Sequence, residues 1–187
     1  MKVIRNIHPE EFIFAVLSDD LSSGKVPHDQ IELITSADLS SAEENDKRRK
    51  LLQTMNGAFG AEINYLHSCQ IVELSKEDFL SLLWCPCPSR PDEVDKMTGN
   101  TRKLQDLLNY LETVHEHEEN EITKYRESLF NHTADITEKK RRIFLYHLSD
   151  LSIIDGNHRS GTILTLLSKK KGEEYFPLIA YMTKISG

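Results

Sequence analysis

The sequence predicts an α+β domain, a small mixed β-sheet with helices packed against it, carrying a mostly helical N-terminal extension. Three observations carry this expectation. Leu104, Leu107, Leu108, Leu111 and Val114 recur at spacings of three and four, the apolar stripe of one amphipathic helix starting near Thr101. Two apolar runs at 142–148 and 151–154, separated by Ser149 and Asp150, have the form of a β-hairpin. The second run continues into a polar turn at 155–161, a helix from Thr162 towards Gly172 and a closing strand at 176–182. That order makes a crossover unit if the two strands are parallel neighbours.

Composition sets the bounds. The chain has 187 residues, of which 39% are hydrophobic and 28% charged, enough to bury a core. Lys and Arg number 23 against 30 Asp and Glu, a formal charge of −7. This disfavours a general affinity for nucleic acid, which depends on cations facing phosphates. No apolar run reaches the roughly 18–20 residues that span a bilayer, and residues 1–6 lack a secretory apolar stretch, so the expectation is a cytoplasmic chain with no membrane partner. Cys69, Cys85 and Cys87 are odd in number, with two of them one residue apart, and do not form a disulfide framework.

In chain order, Phe12, Ile13, Val16 and Leu17 have helical spacing, followed by an acidic and serine-rich run to Gly24 and a loop through Pro27. Residues 31–34 resemble a short strand. Ser36 or Asp38 is placed to cap a helix through the basic run 47–50 towards Met55, stopped by Asn56-Gly57 and Gly60. Residues 1–66 form the extension and 67–187 the α/β domain. Within the latter, 71–74 reads as a strand, and Ser75 with Asp78 has the form of a capping box opening a helix through Phe79, Leu82 and Leu83. Pro86, Pro88 and Pro91 break it. A charged helical insert occupies about 115–137.

The chemistry concentrates in Asp155-Gly156-Asn157-His158-Arg159-Ser160-Gly161. A turn that leaves a strand and opens a helix presents unpaired N–H groups and the positive end of the helix dipole. Gly156 and Gly161 permit positive φ or close approach of a ligand. Arg159 offers a fork of donors, and His158, Asn157 and Ser160 offer further hydrogen bonds. Together these make an anion cradle. Asp155 can position a hydroxyl, orient His158 or help hold a metal, and in its simplest role it ends the strand and stabilises the turn.

This turn, with its flanking strands and helix, resembles the phosphate-binding motif of the ParB/sulfiredoxin superfamily. The similarity extends more weakly from 71–83 through 102–114, so that it covers about 70–185; residues 1–66 and the charged insert have no counterpart. The resemblance implies nucleotide binding, with phosphates on Gly156, Asn157, His158, Arg159, Ser160 and Gly161. Sulfiredoxin-like members carry a cysteine where this chain has Asn157, which disfavours sulfinic-acid repair. The second motif and helix-turn-helix domain of the CTP-dependent partition proteins are absent. The small stand-alone members remain, among them a free serine kinase, nucleotidases and proteins described as nucleases. In the kinase-like members an acidic residue near the opening strand acts as base, a place that Glu77 or Glu73 can take.

Other motifs have simpler readings. His115 and Glu119 are four apart but lack further ligands, so a solvated helix face accounts for them better than a metal site. Cys85-Pro86-Cys87 without partner ligands reads as a loop. The basic runs 47–50 and 139–142 read as solvated faces, and Lys169 to Lys171 as cations at a helix end. The expected function is a nucleotide-binding enzyme acting on a phosphoanhydride, a phosphotransferase or a nucleotidase. It would use ATP or another nucleotide with Mg²⁺, and Asp155, His158 and Glu77 as catalytic groups. A non-catalytic module that binds nucleotide to order a protein-binding surface, and a nuclease, are the alternatives.

Overall fold

In the computed structural model the described residues are 1–22, 24–36, 38–55, 62–84, 91–113, 143–147 and 150–185. They form a five-stranded mixed sheet in the order β1-β2-β5-β3-β4, with helices on both faces. The strands are β1 (Lys2–Ile7), β2 (Leu66–Leu74), β3 (Ile143–His147), β4 (Leu151–Asp155) and β5 (Leu178–Ile185). Pairing is antiparallel for β1 with β2, β2 with β5 and β3 with β4, and parallel for β3 with β5. The expected α+β class and the 142–154 hairpin are therefore present. β4 and β5 are not parallel neighbours, because β5 inserts between β2 and β3, so the expected crossover unit is not formed.

Period-two alternation divides the central strands between two cores. Ala180 and Met182 of β5 face one side with Val72, Leu74, Leu145 and Ile153, where α4 (Lys76–Leu80), α5 (Pro91–Thr98), α6 (Leu104–Thr113) and α7 (Asn157–Ser168) pack. Tyr181 faces the other with Cys69 and Phe144, under α1 (Pro9–Ser22), α2 (Ile31–Thr35) and α3 (Ala42–Met55). Phe12 of α1 meets Phe144 edge-on, with ring centroids 5.9 Å apart at 85°, and lies 6.5 Å from Tyr181. The segment read as an N-terminal extension thus contributes an edge strand and the three helices covering one face of the sheet.

Local signals explain most elements. The apolar stripe of α6 buries Leu104, Leu107, Leu108 and Leu111. The capping box before α4 is complete: Ser75 Oγ accepts from the Asp78 N–H, and the Asp78 carboxylate accepts from the Ser75 N–H. Residues 31–34 are helical rather than a strand; Ile31 and Ile34, three apart, share one face against α1, which a four-residue apolar run does not reveal. Ser41, not Ser36 or Asp38, opens α3 by accepting from the Glu44 N–H at 3.3 Å, while Asp38 accepts from Ser40.

Arg48 departs from the solvated basic face expected for 47–50. Lys47 and Lys50 are exposed and paired with Glu43 and Asp46, but Arg48 is 1% exposed. Its guanidinium donates to the carbonyls of Leu33, Ser36 and Asp38, to Asn45 and to Glu44, over 2.6–3.1 Å. The carbonyls of Leu33, Ser36 and Asp38 converge on this one cation. Asn56 to Gly60, Cys85, Cys87, the 115–137 insert and the basic run 139–142 lie outside the described residues. No helix among the described residues is long and apolar enough to cross a membrane.

Candidate functional site

The Asp155-to-Gly161 turn stands where β4, at one edge of the sheet, ends and α7 begins. Gly156 is its hinge, with φ 100° and ψ 15°, a left-handed conformation that a Cβ disfavours. Asp155 Oδ1 accepts from the Gly156 N–H at 2.8 Å and so secures the turn, the role its sequence position suggests. The N-cap of α7 is Gly156, which supplies no side-chain cap. Gly161 lies inside the helix, its carbonyl accepting from Thr165 at 3.0 Å, and has no part in the turn's positive φ.

Arg159 does not point freely outward. Its Nη2 donates to Asp19 Oδ2 in the last turn of α1 and lies 3.9 Å from Asp155 Oδ2. The contact joins the helical layers on opposite faces of the sheet, since α1 belongs to the core around Phe144 and α7 to the core around Ile153. Arg159 Nη1 and Asp155 Oδ2 are buried with no hydrogen-bond partner, and so is Oγ of Ser160, a residue of 0% exposure. A buried guanidinium nitrogen without an acceptor is costly, and such groups mark places where a polar ligand or water completes the structure.

Next to this pair, Asp20 Oδ1 accepts from Lys25 Nζ at 3.0 Å. Burial pushes the carboxyls of Asp19 and Asp20 upward, outweighing Arg159 and Lys25, and Asp155 adds to both shifts. The Asp155, Asp20 and Asp19 carboxylates together raise the Lys25 ammonium. Three carboxylates therefore share one locality with two cations. Asp19 and Asp20 were not among the sequence candidates. Their signal was two carboxylates in the last turn of a helix with no cation there, an arrangement the helix dipole opposes and which calls for partners elsewhere.

Glu77 is exposed on α4, which follows β2, three positions from β4 in the sheet; the chain after α4 returns to β4, where Leu83 pairs with Ser152. Hydrogen bonds from its own backbone N–H and from Ser75 hold the Glu77 carboxyl below the usual range. Glu73 accepts from Lys2 at 3.0 Å on the far side of the sheet. The carboxylates that the structure does bring to Asp155 are Asp19 and Asp20. The backbone of Asn157 and His158 is helical, and the His158 side chain is outside the described residues. Cys69 is buried against Thr183, and burial raises its thiol. No group of three or more His, Cys, Asp or Glu is arranged to hold a metal among the described residues.

No protein-family model, curated protein or solved structure matches the chain.

Proposed function

We propose that the protein is a nucleotide-binding enzyme of the ParB/sulfiredoxin-like type that acts on a phosphoanhydride, as a phosphotransferase or a nucleotidase. The observation that carries this reading is Arg159 Nη1, buried and without an acceptor in the first turn of a helix whose N-cap is a glycine. A phosphate there would accept from Nη1 and from the first amides of α7, with Gly156 letting it approach the backbone. Asp19 fixes the other arm of the guanidinium, so that little ordering remains to be done when the anion arrives. As charge grows on the transferring phosphoryl group, Arg159 would neutralise part of it, and His158 is placed in sequence to donate to a bridging oxygen.

Asp155, at the turn itself, is the base this reading assigns. Its Oδ1 is engaged by Gly156, and its Oδ2 has no hydrogen-bond partner with which to compete for a hydroxyl or water proton. Mg²⁺ fits as an ion carried by the nucleotide, which commonly keeps several waters and takes only one or two carboxylates from the protein. Three carboxylates around the turn, with the chain's charge of −7, weigh against the nuclease alternative, because a nucleic-acid backbone brings many phosphates to the surface at once.

The test is calorimetry and phosphate release with ATP, ADP, CTP and GTP in Mg²⁺, on the native chain and on Arg159→Ala. Saturable binding weakened at least about tenfold in the variant is expected, the order of one charge-assisted contact. Binding without phosphate release would move the protein to the non-catalytic alternative. No binding of any of the four would overturn the nucleotide reading.

A further inference from the structure

We propose that Lys25 is the second cationic contact of this site and that, together with Arg159, it selects nucleoside di- or triphosphates over monophosphates; this rests on the nucleotide reading above. The position of Lys25 is set by the backbone. The Lys25 N–H donates to the Asp20 carbonyl and the Gly24 N–H to the Leu21 carbonyl, both at 3.0 Å, with Gly24 at φ 71°. This pair of bonds closing a helix through a left-handed glycine is the Schellman motif, which folds the chain back over its own last turn. It returns Lys25 to Asp20, and Nζ settles 3.0 Å from Oδ1.

Asp20 and Asp19 are consecutive, their Cα atoms about 3.8 Å apart. Each holds one cation, Lys25 from the closing turn and Arg159 from α7. The two differ in a way that suits neighbouring phosphates. Arg159 is 12% exposed and presents a planar fork at the buried helix start, whereas Lys25 is 56% exposed, a hydrated point charge that solvent and ligand can reach. Ser160 Oγ is buried without a hydrogen-bond partner in the same helical turn.

Charge balance makes Lys25 matter in proportion to the length of the phosphate chain. Asp19, Asp20 and Asp155 already exceed the two cations by one. A single phosphate at α7 is served by Arg159 and the helix amides. A second or third phosphate adds charge in a locality that is already negative and becomes more so without Lys25, and the exposed ammonium is the cation placed to meet it.

The experiment compares the native chain, Lys25→Gln and Lys25→Arg, with calorimetry of adenosine and guanosine mono-, di- and triphosphates in Mg²⁺ and thermal melts without ligand. Lys25→Gln is expected to weaken di- and triphosphate binding at least about tenfold while leaving monophosphate binding within about twofold, and Lys25→Arg to restore most of the loss. Gly24→Ala, strained at positive φ, should reproduce part of the same selective loss by displacing Lys25. Unchanged di- and triphosphate affinity in Lys25→Gln, or an equal loss for all three ligand lengths, overturns the inference while Arg159→Ala still tests the nucleotide reading. Failure of the native chain to bind any of them overturns both.

Discussion

Asp19 in the last turn of α1 accepts from Arg159 in the first turn of α7, and this ion pair spans 140 residues of sequence and the thickness of the sheet. Each residue answers a need of the other. The carboxylates at the end of α1 sit against the negative pole of their helix, and the guanidinium of Arg159 is buried. The result is a polar seam between two apolar layers at the edge strand β4.

The hinge of that seam is open to a direct test. Gly156→Ala places a Cβ on a residue at φ 100°, and the strain should cost about 1–3 kcal/mol. A lowered midpoint in urea together with loss of nucleotide binding is expected. Full stability in the variant would show that the turn relaxes to a conformation open to any residue.

Arg48 should be among the least replaceable side chains outside the apolar cores. Arg48→Ala leaves the carbonyls of Leu33, Ser36 and Asp38 without their donor, and a loss of about 3–5 kcal/mol is expected. Arg48→Lys should recover only part of it, since an ammonium cannot reproduce the fork that reaches five acceptors. Chemical denaturation of the three proteins decides.

The acidic cluster predicts a pH dependence of definite sign. Burial holds the Asp20 carboxyl above its ordinary 3.8, so at pH values between 3.8 and the raised value the folded chain keeps a proton that the unfolded chain has lost. The contribution favours folding below 3.8 and is lost as pH rises through the native value. Replacing Asp20 with Asn removes this titration. Relative to Asp20→Asn, the native chain should therefore lose stability as pH rises above 3.8. Urea midpoints measured across that range should show the difference falling, and a rising difference would mean that Lys25 outweighs burial.

Removing residues 1–66 should abolish cooperative folding of the remainder. It takes away Phe12, Ile13, Val16 and Leu17, and leaves Cys69, Phe144 and Tyr181 facing water on one side of the sheet. Circular dichroism melts of residues 67–187 alone should show a broad transition, whereas a sharp one would show that this core is dispensable.

How much was legible follows from how local each determinant is. The stripe of α6, the Ser75/Asp78 box and the path from β4 through Gly156 into α7 are written in residues three or four apart, and all three are present. The edge strand β1 was missed because five of its six residues are exposed, leaving little alternation to detect. Residues 31–34 are too short a run to tell helix from strand. The partners of Arg159 and Arg48 depend on chain segments that only the packed fold brings together, so residues 19–20 read only as part of an acidic run and 47–50 as a solvated basic face.

The place of β5 also dictates a sequence of assembly. β1 with β2, and β3 with β4, are pairs of strands that can form without it, yet neither pair is hydrogen-bonded to the other. The strand that unites them emerges from the ribosome after all four, and it must enter between two waiting edges rather than add to a finished one. Until then each half exposes an unpaired edge, so the nascent chain passes through a stage in which wrong partners compete with β5 for the same slot, and the speed of that insertion sets how long the exposure lasts.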